Sequence, residues 1–349
     1  MKISDLDTPA LLVDLDRVEA NLHRWEMWCR QRGIRNRPHI KTHKIPELAQ
    51  LQLKYGAVGV TCQKLGEAEA MADGGITDIF LPYNIVGETK LNRLLALHQR
   101  VQLRVSADNP TVITGLAGTA ARAGKPLEVM VECDTGMHRA GVPKPADAVE
   151  LARLIRQQPA LRFTGFCTYP WSPEAARFMR EAKRLCAQDG IPVTEISGGG
   201  TPGMWREEGL EELTEYRAGT FIFNDRIIVA SGAATFDDCA ATLLLSVVSD
   251  AGTDYVTVDG GTKTFSSDLY GQTDYGVVLD DHGTTIVRCS EEHGVLQHCG
   301  SKPRYKVGEK VRVIPNHACI ILNLHDAAYG VRGDEVVARW NIAARGKVQ

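Results

Sequence analysis

The densest concentration of reactive side chains is Arg37-Pro38-His39-Ile40-Lys41-Thr42-His43-Lys44. A lysine set among other cations and partly desolvated holds its proton less tightly, and the free amine can attack a carbonyl to form a Schiff base. A solvated basic loop carries the same string. A second segment, Ser197-Gly198-Gly199-Gly200-Thr201, offers bare backbone whose N–H groups can converge on phosphate oxygens, and Arg217-Ala218-Gly219-Thr220 can complete such a cradle. Three glycines alone are commonly no more than a flexible turn. A Schiff-base lysine together with a phosphate cradle describes a site for pyridoxal 5'-phosphate (PLP). A third feature is His317-Ala318-Cys319. Side chains two apart on a strand share a face, so one ion can take both, and imidazole plus thiolate suits zinc. The same spacing fits a half-buried strand with an ordinary histidine and a core cysteine.

These groups need a frame. Short apolar segments recur at 36–41, 57–62, 77–82, 101–106, 127–133, 162–168, 192–197 and 216–223, with few charges at their centres, as strands buried on both faces require. Amphipathic helical patterns separate them. One starts at Asp16, with Glu19 as a capping-box partner, carries Val18, Leu22, Trp25 and Cys29 on one stripe, and ends at Gly33. Another covers 146–157 before Pro159. Eight strands alternating with helices over about 220 residues match a (β/α)8 TIM barrel. Lys41 then falls at the C-terminal end of the first strand and the glycines follow the seventh, on the face where such barrels place their chemistry. After about residue 231 strand-like segments (241–249, 255–259, 276–280, 284–289, 309–314, 319–324, 335–340) follow one another without long helices, which predicts a C-terminal all-β domain. The expected domains are 1–230 and 231–349, with the first ten or so residues able to pack with the β domain.

Composition removes several classes. The 349 residues carry 40 Lys+Arg against 43 Asp+Glu, a formal charge of −3, which supplies no basic field for nucleic acid. No apolar run approaches the roughly 18 residues of a membrane span. The opening MKISDLDTPALLVDL is acidic and reads as no secretory leader. Nine irregularly spaced cysteines do not form a disulfide pattern and suggest a reduced, cytoplasmic setting. Cys62, Cys133 and Cys167 read as small core residues.

RPHIKTHK, CDTGMHRAGV (133–142), SGGGTP (197–202), YRAGTFIFND (216–225), SEEHG (290–294) and IPNHAC (314–319) jointly resemble the D-threonine aldolase/D-serine dehydratase family of fold-type III PLP enzymes, related to the barrel domain of alanine racemase. The resemblance runs from DTPALLVD to RWNIAARG, nearly the whole chain. It implies that Lys41 carries PLP and that Arg139 contacts the cofactor's phenolic oxygen. By the same resemblance Gln63 and Tyr169 line the cofactor, and Gly199, Gly200 and Thr201 bind phosphate with Gly219 and Thr220. His317 and Cys319 would ligate a divalent metal, zinc first, with manganese or magnesium as alternatives, and His317 would share the catalytic role with Lys41. His43 could tune the site and His293 could position the metal, or each could be structural. The implied activity is a lyase acting on a D-3-hydroxy amino acid. Dehydration of D-serine, or of D-threo-3-hydroxyaspartate or D-threonine, is favoured because Cys319 stands where aldolases of the family tend to carry aspartate. Retro-aldol cleavage to glycine and an aldehyde is the alternative. A racemase is a further one, with Tyr270 and Tyr275 as unplaced acid/base candidates. A homodimer is implied as well, by the resemblance alone.

Overall fold

A computed structural model describes all 349 residues, which fall into two compact units. One comprises Trp25–Lys41, Pro46–Gly219 and Lys347–Gln349; the other comprises Met1–Arg24, Thr42–Ile45 and Thr220–Gly346.

The first unit is a parallel barrel. Its eight strands are Arg35–Asn36, Val60–Thr61, Asp78–Leu81, Gln102–Ala107, Leu127–Cys133, Leu161–Thr168, Glu195–Gly198 and Glu215–Tyr216, each paired with its neighbour in one eight-stranded sheet. The ring closes between first and second strands through the parallel bridge His39–Thr61 and the bond from the Thr61 N–H to the Pro38 carbonyl, 2.8 Å. Leu127–Cys133 matches the sequence reading to the residue. The outer strands are shorter than predicted. Of 36–41 only Asn36 is strand, in Arg35–Asn36, because Ile40–Thr42 coils into a 3-10 turn; of 216–223 only Tyr216 is, in Glu215–Tyr216, because Thr220–Ile222 does the same.

A buried network of ion pairs links the barrel strands. The buried Arg37 guanidinium donates from Nε to Glu215 (2.6 Å) and from Nη1 to Asp78 (2.6 Å), while Arg104 reaches Glu128 at 3.1 Å and Glu215 at 3.5 Å. Burial alone would raise the Glu215 carboxyl, but Arg37 and Arg104 outweigh it and hold it down at about 2. Gly165, at φ +150°, marks a register shift where the fifth and sixth strands pair; a Cβ there would overlap the Glu195 carbonyl of the seventh.

The second unit is built on a nine-stranded sheet. Ala241–Ser249, Val256–Val258, Gly294–His298, Asp281–Cys289, Gly276–Val278 and Lys310–Pro315 pair in that order and return to Ala241–Ser249, a closed antiparallel ring. Ala10–Asp14, Ala327–Arg332 and Glu335–Asn341 extend the sheet from it. Ala10–Asp14 pairs antiparallel with Ala241–Ser249 and parallel with Ala327–Arg332.

Two local expectations fail. Capping of the helix Leu15–Gln31 falls to Asp14, whose Oδ1 accepts the N–H groups of Asp16 and Arg17, both at 3.1 Å. The predicted strand 319–324 is a helix, Ala318–Leu324. Its apolar residues favour strand by propensity, yet the fully buried Ala318, Ile321 and Leu322 fall at i, i+3 and i+4, a helical face. The Asp225 carboxylate secures its first turn by accepting the Ala318 N–H at 2.9 Å. No helix is long and apolar enough to cross a membrane.

Candidate active site

Lys41 sits in the 3-10 turn leaving the first barrel strand, half-buried and preceded by the wholly buried Ile40. Its backbone N–H lies 3.4 Å from His39 Nδ1, and His39 Nε2 lies 3.1 Å from Gln63 Oε1. A single tautomer, with the proton on Nε2, satisfies both. Gln63 is fixed in turn, its amide N–H bonded to Glu67 at 2.7 Å and its side-chain nitrogen 3.4 Å from the Pro82 carbonyl. The Lys41 backbone and Gln63 are thus tied through one imidazole, and the barrel unit brings these two sequence-predicted residues together.

Arg139 lies in the tightly built loop after the fifth strand. Asp134 Oδ1 accepts the N–H groups of Gly136 and His138, both at 3.0 Å, and Asp108 accepts that of Gly141 at 2.9 Å. The exposed Arg139 guanidinium stands 5.5 Å from the ring centre of Tyr169, which follows the sixth strand.

Behind the glycine run lies a wall of rings. A Cβ on Gly199, whose φ is +106°, would overlap the Tyr216 ring, and one on Gly200 would come within 2.6 Å of Tyr169 Cε2. The Tyr216 hydroxyl donates to the Gly200 carbonyl at 3.1 Å, and the Gly219 N–H donates to Thr201 Oγ1 at 3.3 Å. Gly199 and Gly200 thus present bare backbone where no side chain would fit, beside the bonded pair Thr201 and Gly219. Arg217, on the same strand end, is buried; its Nη2 donates to the Thr168 carbonyl at 2.7 Å, while Nε has no hydrogen-bond partner. Bare backbone beside a buried arginine whose Nε is left unpaired fits a phosphorylated, anionic cofactor.

The second unit carries the histidine and cysteine. His317 is the extended residue before the helix Ala318–Leu324, and Cys319 lies in its first turn, so a helix start and not a strand face brings them together. Fully buried Asp225 accepts from Ile228 N–H through Oδ1 (3.0 Å) and holds His317 Nδ1 through Oδ2 (2.9 Å). Cys319 Sγ lies 3.2 Å from Thr42 Oγ1 and 3.7 Å from Thr220 Oγ1. The Tyr270 ring stands edge-on to the imidazole at 4.9 Å, which places one of the unplaced tyrosines. Burial works against the imidazolium, yet hydrogen bonds from Asp225 and Cys319 raise His317 to about 10; burial also works against the thiolate, and the His317 hydrogen bond outweighs it and lowers Cys319. No cluster of three or more His, Cys, Asp or Glu side chains is close enough to hold an ion. The donor set is a polarised pair, with a carboxylate orienting the imidazole from behind as it does for metal-ligating histidines, and that pair fits a divalent ion with open positions.

Thr220, expected at the phosphate, turns its hydroxyl toward Cys319. His43 is buried, its Nδ1 accepting the Ile45 N–H at 3.1 Å and its ring edge-on to Phe223. His293 is exposed, and its carbonyl accepts the Ser290 N–H. Sequence reasoning passed over Asp225, Tyr216 and Thr42. The one available signal was Asn224-Asp225 ahead of the apolar run Ile227–Val229, a helix-start pattern that Asp225 fulfils.

The family profile "Alanine racemase, N-terminal domain" matches residues 13–226, and "Putative serine dehydratase domain" matches 240–331. The D-threonine aldolase of Arthrobacter sp. is 32% identical, covering 99% of this chain and 94% of that protein. The crystal structure of D-threonine aldolase from Filomicrobium marinum superposes with a TM-score of 0.90 at 31% identity, covering 100% of this chain and 98% of that one. D-threo-3-hydroxyaspartate dehydratase from Delftia sp. HT23 gives 0.88 at 28% identity over 97% and 98%. Further structures of a D-threo-3-hydroxyaspartate dehydratase replace by alanine a histidine and, two positions later, a cysteine, the latter in a metal-free form. With a racemase-type barrel, a dehydratase-type β unit and full-length similarity to both enzymes, the chain belongs to the D-threonine aldolase/D-serine dehydratase family, whose fold-type III architecture implies PLP.

Proposed function

We propose that this protein is a PLP- and divalent-metal-dependent lyase that dehydrates a D-3-hydroxy amino acid to an oxo acid and ammonia, with D-serine as first substrate and zinc as first metal. The Asp225–His317–Cys319 relay carries the reading. It pairs a carboxylate-oriented imidazole with a thiol that touches Thr42, the residue covalently next to Lys41.

When bound, PLP supplies an electron sink for the substrate Cα, and a divalent ion supplies Lewis-acid help to a departing β-hydroxyl. The chain's own groups do the rest. Lys41 Nζ would hold the cofactor through its aldehyde carbon and, as a free amine, would serve as the base for the substrate Cα proton. Gly199, Gly200, Thr201 and Gly219 would bind its phosphate, and Arg139, whose guanidinium lies beside the Tyr169 ring, would meet its phenolic oxygen. His317 Nε2 and Cys319 Sγ would ligate the ion, with Nδ1 engaged by Asp225.

Incubating the zinc-loaded protein with D-serine should release pyruvate and ammonia, and EDTA should abolish this while PLP stays bound. Full turnover after verified metal removal refutes the metal role. The 32% identity to a D-threonine aldolase favours a second reading, retro-aldol cleavage; glycine and acetaldehyde from D-threonine, with no oxo acid, would select it. We further infer a homodimer in the cytoplasm, to be checked by sedimentation and fractionation.

A further inference from the structure

Tyr216 ends the eighth barrel strand and is almost wholly buried, yet a phenol oxygen there is not needed for packing. Its ring is clamped edge-on by Trp25 at 4.9 Å and Trp28 at 6.4 Å, and Trp25 is itself fixed by its Nε1 donating to Asn36 at 3.0 Å. A Cβ on Gly199 would fall 2.3 Å from its ring, and the hydroxyl donates to the Gly200 carbonyl. That carbonyl also accepts the Gly203 N–H, at a long 3.3 Å.

The Gly200–Thr201 bond is trans, so the Thr201 N–H points away from the Gly200 carbonyl in the same rigid plane. Whatever fixes the carbonyl fixes the N–H. Glycine on both sides of a turn otherwise leaves that plane loosely set. A single phenol oxygen on a ring packed between two tryptophans therefore orients the peptide whose N–H opens the turn Thr201–Gly203, in the run proposed to bind phosphate.

We propose that Tyr216 is a positioning residue for phosphate recognition: its hydroxyl aims the Gly200–Thr201 peptide, and the chain's preference for PLP over unphosphorylated pyridoxal depends on it. The inference rests on the PLP reading of the site and adds to it a residue that never touches the cofactor. Removing one net hydrogen bond of this kind corresponds to about a three- to tenfold change in an equilibrium constant.

The test compares Tyr216→Phe with the wild-type chain, each freed of cofactor and titrated with PLP and with pyridoxal. Binding is followed by quenching of tryptophan fluorescence, which Trp25, Trp28 and Trp205 supply beside the cradle. PLP should bind Tyr216→Phe several-fold more weakly while pyridoxal binds as before, with the melting temperature close to wild type. An unchanged PLP-to-pyridoxal ratio overturns the inference, whether both affinities hold or both fall by the same factor. A wild-type chain that binds neither aldehyde defeats the PLP reading itself, and the inference with it.

Discussion

Replacing Asp225 by asparagine isolates the relay behind the candidate metal pair. The carboxylate makes three short contacts from complete burial: Oδ1 to the Ile228 N–H, and Oδ2 to both the Ala318 N–H and His317 Nδ1. An amide of the same shape has only one acceptor oxygen. If that oxygen stays on Oδ2's side, its NH2 faces the Ile228 N–H; if it turns, the NH2 faces the Ala318 N–H and the imidazole. Either way one buried backbone donor loses its acceptor, at about 1–3 kcal/mol, and the charge-assisted bond to His317 becomes a neutral one. Loss of such a carboxylate behind a ligating histidine typically costs 10–100-fold in metal affinity, which is about 1.4–2.7 kcal/mol. Zinc affinity should be measured by competition with a chromophoric chelator, with PLP binding followed in parallel. Asp225→Asn should bind zinc at least about tenfold more weakly while keeping PLP affinity, because the imidazole loses the carboxylate that orients it. Wild-type zinc affinity in a folded Asp225→Asn protein would refute the relay, and loss of both ligands together would make Asp225 merely structural.

Other outcomes follow from the same contacts. Glu215 is held at about 2 against an ordinary value near 4.5, so the stability it confers is complete above about pH 4.5 and drains away as pH falls toward 2; the shift corresponds to about 3 kcal/mol. Acid unfolding followed by circular dichroism should lose that limb in Glu215→Gln, which also costs about 3–5 kcal/mol by leaving Arg37 and Arg104 undercompensated; an unchanged acid profile contradicts the network. Gly165→Ala should leave little soluble protein, because the added methyl overlaps the Glu195 carbonyl, and normal expression with a wild-type melting curve would show the strands can yield there. Cys319→Ala should lose metal-dependent turnover yet keep PLP, measured by product formation and cofactor content; activity at the wild-type level removes Cys319 from the ion.

Much of the frame was legible because burial leaves a mark on sequence. Leu127–Cys133 and Ala241–Ser249 are continuous apolar runs, the pattern of strands with both faces covered, and both stand where periodicity placed them. Gly294–His298 and Ala327–Arg332 escaped notice because they alternate weakly, and Ala10–Asp14 because its partners are Thr242 and Tyr329, far along the chain. Ala318–Leu324 was misread since its residue types argue for strand while their burial follows a helical period. In the site, Lys41 and the glycines announce themselves by type and neighbours. Asp225 does not, because nothing local marks a carboxylate whose purpose is to hold an imidazole 92 residues away.

The central claim is that Lys41 bears the cofactor while His317 and Cys319 hold an ion. It is tested most directly by anomalous diffraction at the zinc edge from crystals of the PLP- and zinc-loaded protein after borohydride reduction. The account predicts a pyridoxyl group bonded to Lys41 Nζ and one zinc peak at about 2.0–2.1 Å from His317 Nε2 and about 2.3 Å from Cys319 Sγ. Zinc bound elsewhere, or the pyridoxyl group on another lysine, would contradict it.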